Sequence, residues 1–340
     1  MKNNLLTKIK IILRILISFQ IRLKIFWRLE CLKLALSSAN NNIRTKGSEE
    51  IATNFFKYLN KLEKSELDNK KTILKKDLDE NSQKEIDTFL FRQEYVFKNN
   101  LLEQNKLFTH QEKEEQKLSN KESIKTTRKL RKFNLSYYAI ESFYGINGLR
   151  WLPKEKKQNL QNKIFLDLGA FDGDSAISFY FNFKPKKIYC FEPEKHNFDR
   201  LTQNSNILGN NIIEPIKKGV SNKTTIANIS SQGSISNISN NQNLQTIEIT
   251  SIDEYINKNN IEKVDVIKMD IEGEEMKAII GATETIKRYK PILSISIYHT
   301  PIDFFEIKPY LKELVPEYKF IIKKANPFAL THELMLLAYV

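Results

Sequence analysis

The sequence predicts an α/β protein in which a mostly parallel β-sheet with flanking helices follows an α-helical N-terminal extension. All nine prolines lie at Pro153 or later, and no glycine occurs between Gly47 and Gly145. Because Pro and Gly break helices whereas Lys, Glu, Leu and Gln favour them, we expect residues 1–135 to be helical. From Lys163 onward, short apolar runs alternate with polar helical stretches, which is typical of βαβ units in a parallel sheet.

Three segments follow from this division. Residues 1–40 are predicted as a basic amphipathic helix, residues 41–135 as a helical extension or linker, and residues 136–340 as the sheet-bearing domain. The stretch 111–132 is the poorest in apolar side chains, and we interpret it as an exposed helix or a linker. A chain of 340 residues is long enough for one large domain plus such an appendage.

The N-terminal segment combines an apolar face with cations. Apolar side chains recur at three- and four-residue spacing at Leu5, Ile9, Ile12, Leu16, Phe19, Leu23 and Trp27. Arg14, Arg22 and Lys24 interrupt the apolar run, which argues against both a membrane span and a signal peptide. Two interpretations stay open: residues 1–35 contact an anionic membrane surface, or the helix packs on its own domain.

Almost all of the formal net charge of +13 lies in residues 1–150. This asymmetry suggests a surface for an acidic partner, such as anionic lipid or nucleic acid, with compositional drift as the equally weighted alternative. Cys31 and Cys190 show neither metal-type nor redox spacing, so neither a disulfide framework nor a thiolate site is indicated. We therefore expect a cytoplasmic protein, with peripheral attachment to the inner membrane surface as a further option.

The sheet-bearing segment alternates predicted strands with predicted helices. Strands are expected near residues 163–168, 187–191, 212–217, 246–250, 264–269, 292–297, 318–323 and 333–339. Helices are expected at residues 174–182, 194–207, 252–259, 274–287 and 304–314.

The segment KIFLDLGAFDGDS carries the strongest local signal. Its apolar strand reaches Asp167 and is followed by Gly169 and Gly173, and glycine lets a backbone turn sharply and approach a ligand closely. Asp174 and Ser175 can cap the helix that follows, and we predict that both also contribute to the cofactor site. An acid before the first glycine suits the cationic ammonium of S-adenosylmethionine, whereas a pyrophosphate-binding turn would avoid it. A glycine turn required only by the fold would look similar.

A second acid lies at the end of the next predicted strand. Glu192, in IYCFEPEKH, is placed where a carboxylate can accept hydrogen bonds from both ribose hydroxyls of the same cofactor. The alternative is a solvated charge at a strand end, which the spacing from Asp167 disfavours. Val220, in KKGVSN after the third strand, is predicted to contact the adenine ring.

The segment VDVIKMDIEGEEMKAIIGA delivers Asp270 to the carboxyl edge of the sheet, where ligands bind in open α/β folds. Asp270 and Glu272 could orient a hydroxyl nucleophile, act as base, or bind a hard divalent cation, although we assign no metal; alternatively, one of them caps the next helix. His299, in SISIYHTP, is expected beside Asp270 and could accept the hydroxyl proton, with a structural histidine as the equal alternative.

The chain resembles the FkbM family of methyltransferases in an ordered series of segments: DLGAFDGDS, FEPEKHNF, SIDEYI, VIKMDIEGEEMKAIIGA, KPILSISIYHTPIDF and HELMLLAYV. The resemblance runs from about Tyr137 to the C-terminus. It implies a Rossmann-like class I methyltransferase sheet of seven strands with an antiparallel last strand, and O-methyl transfer from S-adenosyl-L-methionine. It also implies that Asp167, Gly169 and Gly173 hold the cofactor and that Glu192 holds its ribose.

Two regions depart from the family. The loop 221–244, rich in Ser, Asn and Gln, is longer than the family leads us to expect, and residues 1–135 have no counterpart. By contrast, residues 270–275 correspond to the family's signature turn.

We therefore predict an S-adenosylmethionine-dependent O-methyltransferase whose acceptor is a hydroxyl of a sugar, glycan or lipid-linked saccharide. A nucleic-acid methyltransferase is the alternative suggested by the basic N-terminal half, but MDIEG stands where an Asn/Asp-Pro-Pro-aromatic block would be. A non-catalytic cofactor-binding scaffold is a third possibility, against which the intact glycine turn and Glu192 argue.

Overall fold

The structure is a computed structural model that describes residues 46–99, 106–209, 211–230 and 244–340. The amphipathic helix predicted in residues 1–40 lies outside the described residues. Within the described ranges, no helix combines the length and apolar character needed to cross a membrane.

The described residues contain one large sheet and one small sheet. The strands are β1 (Ile164–Leu168), β2 (Lys187–Phe191), β3 (Ile213–Ile216), β4 (Gly219–Val220), β5 (Thr225–Ser230), β6 (Leu244–Thr250), β7 (Val266–Met269), β8 (Ile292–Ser296), β9 (Lys319–Lys324) and β10 (Leu334–Tyr339). In this part of the chain, seven strands form the large sheet in the order β3-β2-β1-β7-β8-β10-β9. Only β10 is antiparallel to its neighbours in this sheet. This topology confirms the predicted fold class, including the antiparallel last strand.

The centre of the sheet is buried on both faces. Every residue of β7 is buried, and so are all but the first residues of β1 and β8. Continuous apolar strands of this kind are expected where helices cover both sides of a parallel sheet. Because β2, β1, β7 and β8 are parallel neighbours, their carboxyl ends meet at the same edge.

The helices surround the sheet and run through the chain from its first described residues. They are α1 (Lys46–Leu59), α2 (Lys64–Lys75), α3 (Glu80–Lys98), α4 (His110–Leu130), α5 (Ile140–Phe143), α6 (Lys154–Gln158), α7 (Asp174–Phe183), α8 (Lys195–Leu208), α9 (Ile252–Lys258), α10 (Glu275–Ile280), α11 (Thr283–Tyr289) and α12 (Pro301–Leu314).

One predicted helix is divided in two. The prediction of a single helix over 274–287 is wrong, because α10 ends at Ile280 and α11 begins at Thr283. At the break, a Cβ on Gly281 would lie 2.2 Å from the carbonyl oxygen of Ser221. The chain therefore needs glycine at this point to pass the backbone that follows β4.

The small sheet has the order β4-β6-β5 within the described residues. The strand expected near 246–250 is β6, and it pairs antiparallel with β5 over Thr225–Ser230. The sequence analysis treated 221–244 as a loop and missed β5. Its Thr, Asn and Ser residues interrupt the alternation of apolar and polar residues on which strand prediction depends. The structure also leaves Ile226 69% exposed, so the apolar residues of β5 do not mark a buried face.

The helical extension packs directly on the sheet edge formed by β9. Phe55 of α1 and Phe89 of α3 contact Phe304 of α12, with ring centroids 5.6 and 5.1 Å from it. The Ile322 backbone N–H of β9 donates to the Ser82 hydroxyl at 3.0 Å. The helices therefore cover an edge that would otherwise present unpaired backbone groups.

Helix α4 occupies most of the stretch interpreted as an exposed helix or linker. Thr109 and Glu112 form a capping box at its start. Its buried face consists of Glu112, Ser119, Ser123, Thr127 and Leu130. Because most of these side chains are small or polar, the sequence lacks the apolar periodicity that reports a buried helix face.

Candidate active site

A cleft at the carboxyl edge of the large sheet collects most of the predicted site residues. The cavity there has a volume of ≈ 520 Å³, and its lining includes Gly169, Phe171, Glu192, Val220, Ile249, Asp270 and Glu272. Four parallel neighbouring strands supply the turns around it, and the small sheet supplies Ile249.

The turn after β1 depends on glycine. Gly169 has a φ of +79°, and a Cβ there would lie 1.8 Å from the carbonyl oxygen of Asp270. The turns after β1 and β7 can approach one another only because this position has no side chain. Gly173 has a φ of +91° and precedes α7, where its missing Cβ makes room for Leu201.

Asp167 is fully buried behind this turn and is not part of the cavity lining. Its carboxylate accepts a hydrogen bond from the Ser175 hydroxyl and lies 3.1 Å from Lys268 Nζ. Lys268 also donates to the Gly169 carbonyl at 2.7 Å. The structure therefore places Asp167 and Ser175 beneath the turn, where they support it. Contact of Asp167 with a cofactor ammonium stays a prediction.

Asp174, the first residue of α7, is also buried and lies outside the cavity lining. Burial and the neighbouring Asp172 carboxylate raise the pKa of Asp174 to about 8. A carboxyl group with this pKa is mostly protonated at neutral pH. Its predicted part in cofactor binding is untested.

Glu192 faces the cavity in a fixed orientation. One carboxylate oxygen accepts the Phe171 N–H at 2.9 Å, and the other accepts the Glu194 N–H at the same distance. Burial raises the pKa of Glu192 to about 7, although both backbone hydrogen bonds oppose the rise. Each oxygen retains a lone pair for a further donor. Val220 lies in the same cavity, beside Ile249.

The acidic turn after β7 packs against His299. The His299 Nε2 atom lies 3.4 Å from Asp270 Oδ1 and 3.7 Å from Glu272 Oε2. The structure therefore brings together the three side chains predicted to act on the acceptor. Asp270 is partly exposed and Glu272 is exposed to the cleft, whereas His299 is buried.

Glu275 holds this turn in place. Its two carboxylate oxygens accept the Ile271 N–H at 2.7 Å and the Gly273 N–H at 2.9 Å. The turn needs this support because Glu272 and Gly273 both have positive φ, at 58° and 95°. Glu275 Oε1 also lies 2.9 Å from His299 Nδ1.

The surrounding carboxylates control the protonation of His299. Burial alone would lower the pKa of His299, but Glu275, Asp270 and Glu272 outweigh it and raise the pKa to about 10. The imidazole is therefore protonated at neutral pH when no other cation is bound. A protonated imidazole donates hydrogen bonds, so its electrostatics argue against the predicted role of His299 as the base.

The comparisons with known proteins agree with this geometry. Residues 167–323 match the family described as Methyltransferase FkbM domain. These residues form an FkbM methyltransferase domain. The structure of methyltransferase FkbM from Methylobacillus flagellatus KT has 19% sequence identity and a TM-score of 0.54 to this chain. That match covers 80% of this chain and 58% of the other, and it supports the fold.

A curated relative of the chain is the hexuronic acid methyltransferase AglP of Haloferax volcanii. The two sequences are 26% identical over 129 residues, which cover 37% of this chain and 53% of the relative. The chain thus spans little more than half the length of both proteins.

The sequence analysis missed several buried polar residues that interact with Asp270 or with its neighbours. Glu141 accepts a hydrogen bond from Asn326 at 3.1 Å, and burial raises its pKa to about 7. Tyr298 donates to Glu333 at 3.4 Å. Both glutamates interact electrostatically with Asp270. Glu141 lies in α5 and Glu333 just before β10, so no local spacing in the sequence links them to the glycine turn. Lys268 did carry a local signal, because it is a cation inside an otherwise apolar strand.

Proposed function

We propose that this protein is an S-adenosylmethionine-dependent O-methyltransferase whose acceptor is a hydroxyl of a sugar, glycan or lipid-linked saccharide. One observation carries the proposal: at Gly169, a cavity able to hold a nucleoside adjoins the carboxylates of Asp270 and Glu272, which lie beside the imidazole of His299. Membership of the FkbM domain supports the reaction class, and the name of the haloarchaeal relative supports a sugar acceptor.

The residues of the first part of the cleft fit the cofactor. The fixed carboxylate of Glu192 can accept hydrogen bonds from vicinal ribose hydroxyls. Val220 and Ile249 offer apolar surface for an adenine ring. Gly169 lines the same cavity, and its missing Cβ lets the turns after β1 and β7 meet beside the place where the sulfur would lie. When bound, S-adenosylmethionine supplies a methyl group on a positively charged sulfonium.

The acidic side of the cleft suits a cationic methyl donor and a hydroxyl acceptor. Asp270 and Glu272 contribute negative potential, which favours a sulfonium over a neutral analogue. A carboxylate in this cluster can accept the hydrogen bond of an acceptor hydroxyl and so direct an oxygen lone pair into the cleft. We assign this role to Asp270, which lies between Gly169 and His299.

His299 then serves to position that carboxylate. Its protonated ring lies beside Asp270 and is anchored by Glu275. The hydroxyl of the methyl acceptor loses its proton as its oxygen bonds to the methyl carbon. A carboxylate held in place is a strong enough base for this step when the barrier depends mainly on the alignment of the two reactants.

The test uses the purified full chain with methyl-labelled S-adenosylmethionine and carbohydrate fractions from a cell extract. We expect label in a saccharide or lipid-linked saccharide fraction, and about 100-fold slower labelling when Asp270→Asn replaces the wild type. Thermal unfolding with and without S-adenosylmethionine provides the control for cofactor binding. A protein that is stabilised by the cofactor but labels only nucleic acid would refute the sugar acceptor, and the absence of stabilisation would refute the cofactor itself.

A further inference from the structure

The orientation of His299 points to a ligand that the methyl-transfer proposal does not include. Glu275 fixes the ring through Nδ1 at 2.9 Å and is itself fixed by two backbone N–H groups. Nε2 therefore points toward Asp270 and Glu272, two residues that line the cleft. Its distances of 3.4 and 3.7 Å to their oxygens exceed the roughly 2.9 Å of a good N–H···O hydrogen bond.

We propose that Asp270 and His299 bind a divalent cation, with Glu272 approaching it from the open side of the cleft. A carboxylate behind the second ring nitrogen is the usual support of a metal-binding histidine, and Glu275 occupies that position here. A mixed set of imidazole and carboxylate donors suits a first-row ion such as Mn²⁺.

The spacing of the donors fits such an ion. Two atoms bound at adjacent octahedral positions, each about 2.1 Å from the metal, lie about 3 Å apart. The 3.4 Å between Asp270 Oδ1 and His299 Nε2 is within a few tenths of an ångström of that value. Donor atoms of Asp270, Glu275 and His299 all lie within 4.8 Å of one another. Because backbone N–H groups already occupy both Glu275 oxygens, we assign Glu275 to the support of His299.

The buried imidazole separates this cluster from an ordinary acidic surface. His299 is only 9% exposed, so its ring cannot turn to solvent as a surface side chain would. The turn that carries Asp270 and Glu272 is also constrained, by the positive φ angles at Glu272 and Gly273. The donors are thus held in place before an ion arrives, which lowers the entropic cost of binding it.

The inference deepens the proposed function and rests on it for its consequence. A divalent cation at Asp270 would act as a Lewis acid on the acceptor oxygen and assist loss of the hydroxyl proton. The second carboxylate oxygen of Asp270, which does not face His299, would remain to receive that proton. The cation would also offset the negative charge of the cleft, which would otherwise repel an acceptor bearing its own carboxylate.

The experiment is titration of the metal-free full chain with Mn²⁺, followed by calorimetry and by the loss of the free-ion electron paramagnetic resonance signal. We expect one site per chain, lost in Asp270→Asn and in His299→Gln, and weakened about 10- to 100-fold in Glu275→Gln. Glu274→Gln is the matched control, because it removes an equal charge from the same cavity and should change the Mn²⁺ affinity less than threefold.

Folding and function are controlled separately. Glu272→Gln alters an exposed side chain and should keep the thermal unfolding temperature while weakening Mn²⁺ binding, which guards against variants that fail to fold. No binding by the wild type, or equal binding by the wild type, Asp270→Asn and His299→Gln, would overturn the metal site. Mn²⁺ binding without saccharide labelling would leave the metal site standing and count against the proposed acceptor. Saccharide labelling that persists in a chelator, together with no Mn²⁺ binding, would overturn the metal site and leave the proposed acceptor standing.

Discussion

The two halves of the cleft differ in the chemical groups that form them. The first half, Gly169 with Glu192 and Val220, combines a glycine turn, a carboxylate fixed by two backbone N–H groups, and apolar surface. The second half, Asp270 with Glu272, Glu275 and His299, uses side-chain charges that constrain one another. The first arrangement suits a ligand of constant shape, whereas the second suits chemistry on a hydroxyl. The two halves meet where Gly169 contacts Asp270.

The meeting point is the most sensitive position. Gly169→Ala would place a Cβ 1.8 Å from the Asp270 carbonyl oxygen at a positive φ. We expect the free energy of unfolding to fall by about 4 kcal/mol or more, because the obstacle is backbone that cannot move aside. Chemical denaturation measures the change. Gly209→Ala is the control: it has a φ of +65° but no atom nearer than 3.9 Å, and it should cost about 1–2 kcal/mol. Equal losses in both variants would show that the halves do not touch as described.

Asp270→Asn should separate the halves functionally. We expect turnover to fall about 100-fold or more, because a neutral amide cannot accept the proton, while the Kd for S-adenosylmethionine changes less than about threefold. Single-turnover labelling and equilibrium binding of labelled cofactor provide the two measurements. A parallel loss of turnover and affinity would instead assign Asp270 to the cofactor half.

Glu192 should give the cofactor half a distinct pH dependence. Burial raises the pKa of Glu192 to about 7 in the free protein. Because ribose hydroxyls bind the ionised form, cofactor affinity should be highest above pH 8 and fall by up to about tenfold per pH unit below pH 7. Calorimetry between pH 5.5 and 8.5 measures this. Glu192→Gln should bind about 10- to 100-fold more weakly at pH 8 and show no such slope.

The same pKa has an opposite consequence for the stability of the free protein. The unfolded carboxyl ionises near pH 4.5, before the folded one does. Stability contributed by Glu192 is therefore present at low pH and is lost as the pH rises toward 7. Glu192→Gln should remove this part of the decline in unfolding free energy. An unchanged pH slope in both affinity and stability would place the titration on another group.

Val220→Ala should have the smallest effect. Removing two methyl groups from the predicted adenine surface should weaken cofactor binding by about 1–1.5 kcal/mol, or roughly tenfold, with turnover at saturating cofactor unchanged. Titration of initial rates against cofactor concentration measures both quantities. A change in turnover larger than the change in affinity would mean that Val220 also shapes the acceptor half.

Sequence reasoning predicted the cofactor half better than the acceptor half. Gly169 and Glu192 follow adjacent strands. A close backbone turn requires particular residue types at particular spacings, and both can be recognised in a short stretch of sequence. The local pattern also located β1, β2 and β8 to within a residue or two. It failed at β5, whose polar residues hide the strand, and at Gly281, where a distant backbone forces the helix to break.

The sequence by itself determined the fold class and the presence of acids at the carboxyl edge, because glycine turns and apolar strands act through their near neighbours. Only the tertiary structure decided what each acid does. It buried Asp167 against Lys268, left Glu192 facing the cavity, and surrounded His299 with three carboxylates. Burial and charge pairing depend on residues far apart in the chain, and these long-range contacts set the protonation state and the role of each group.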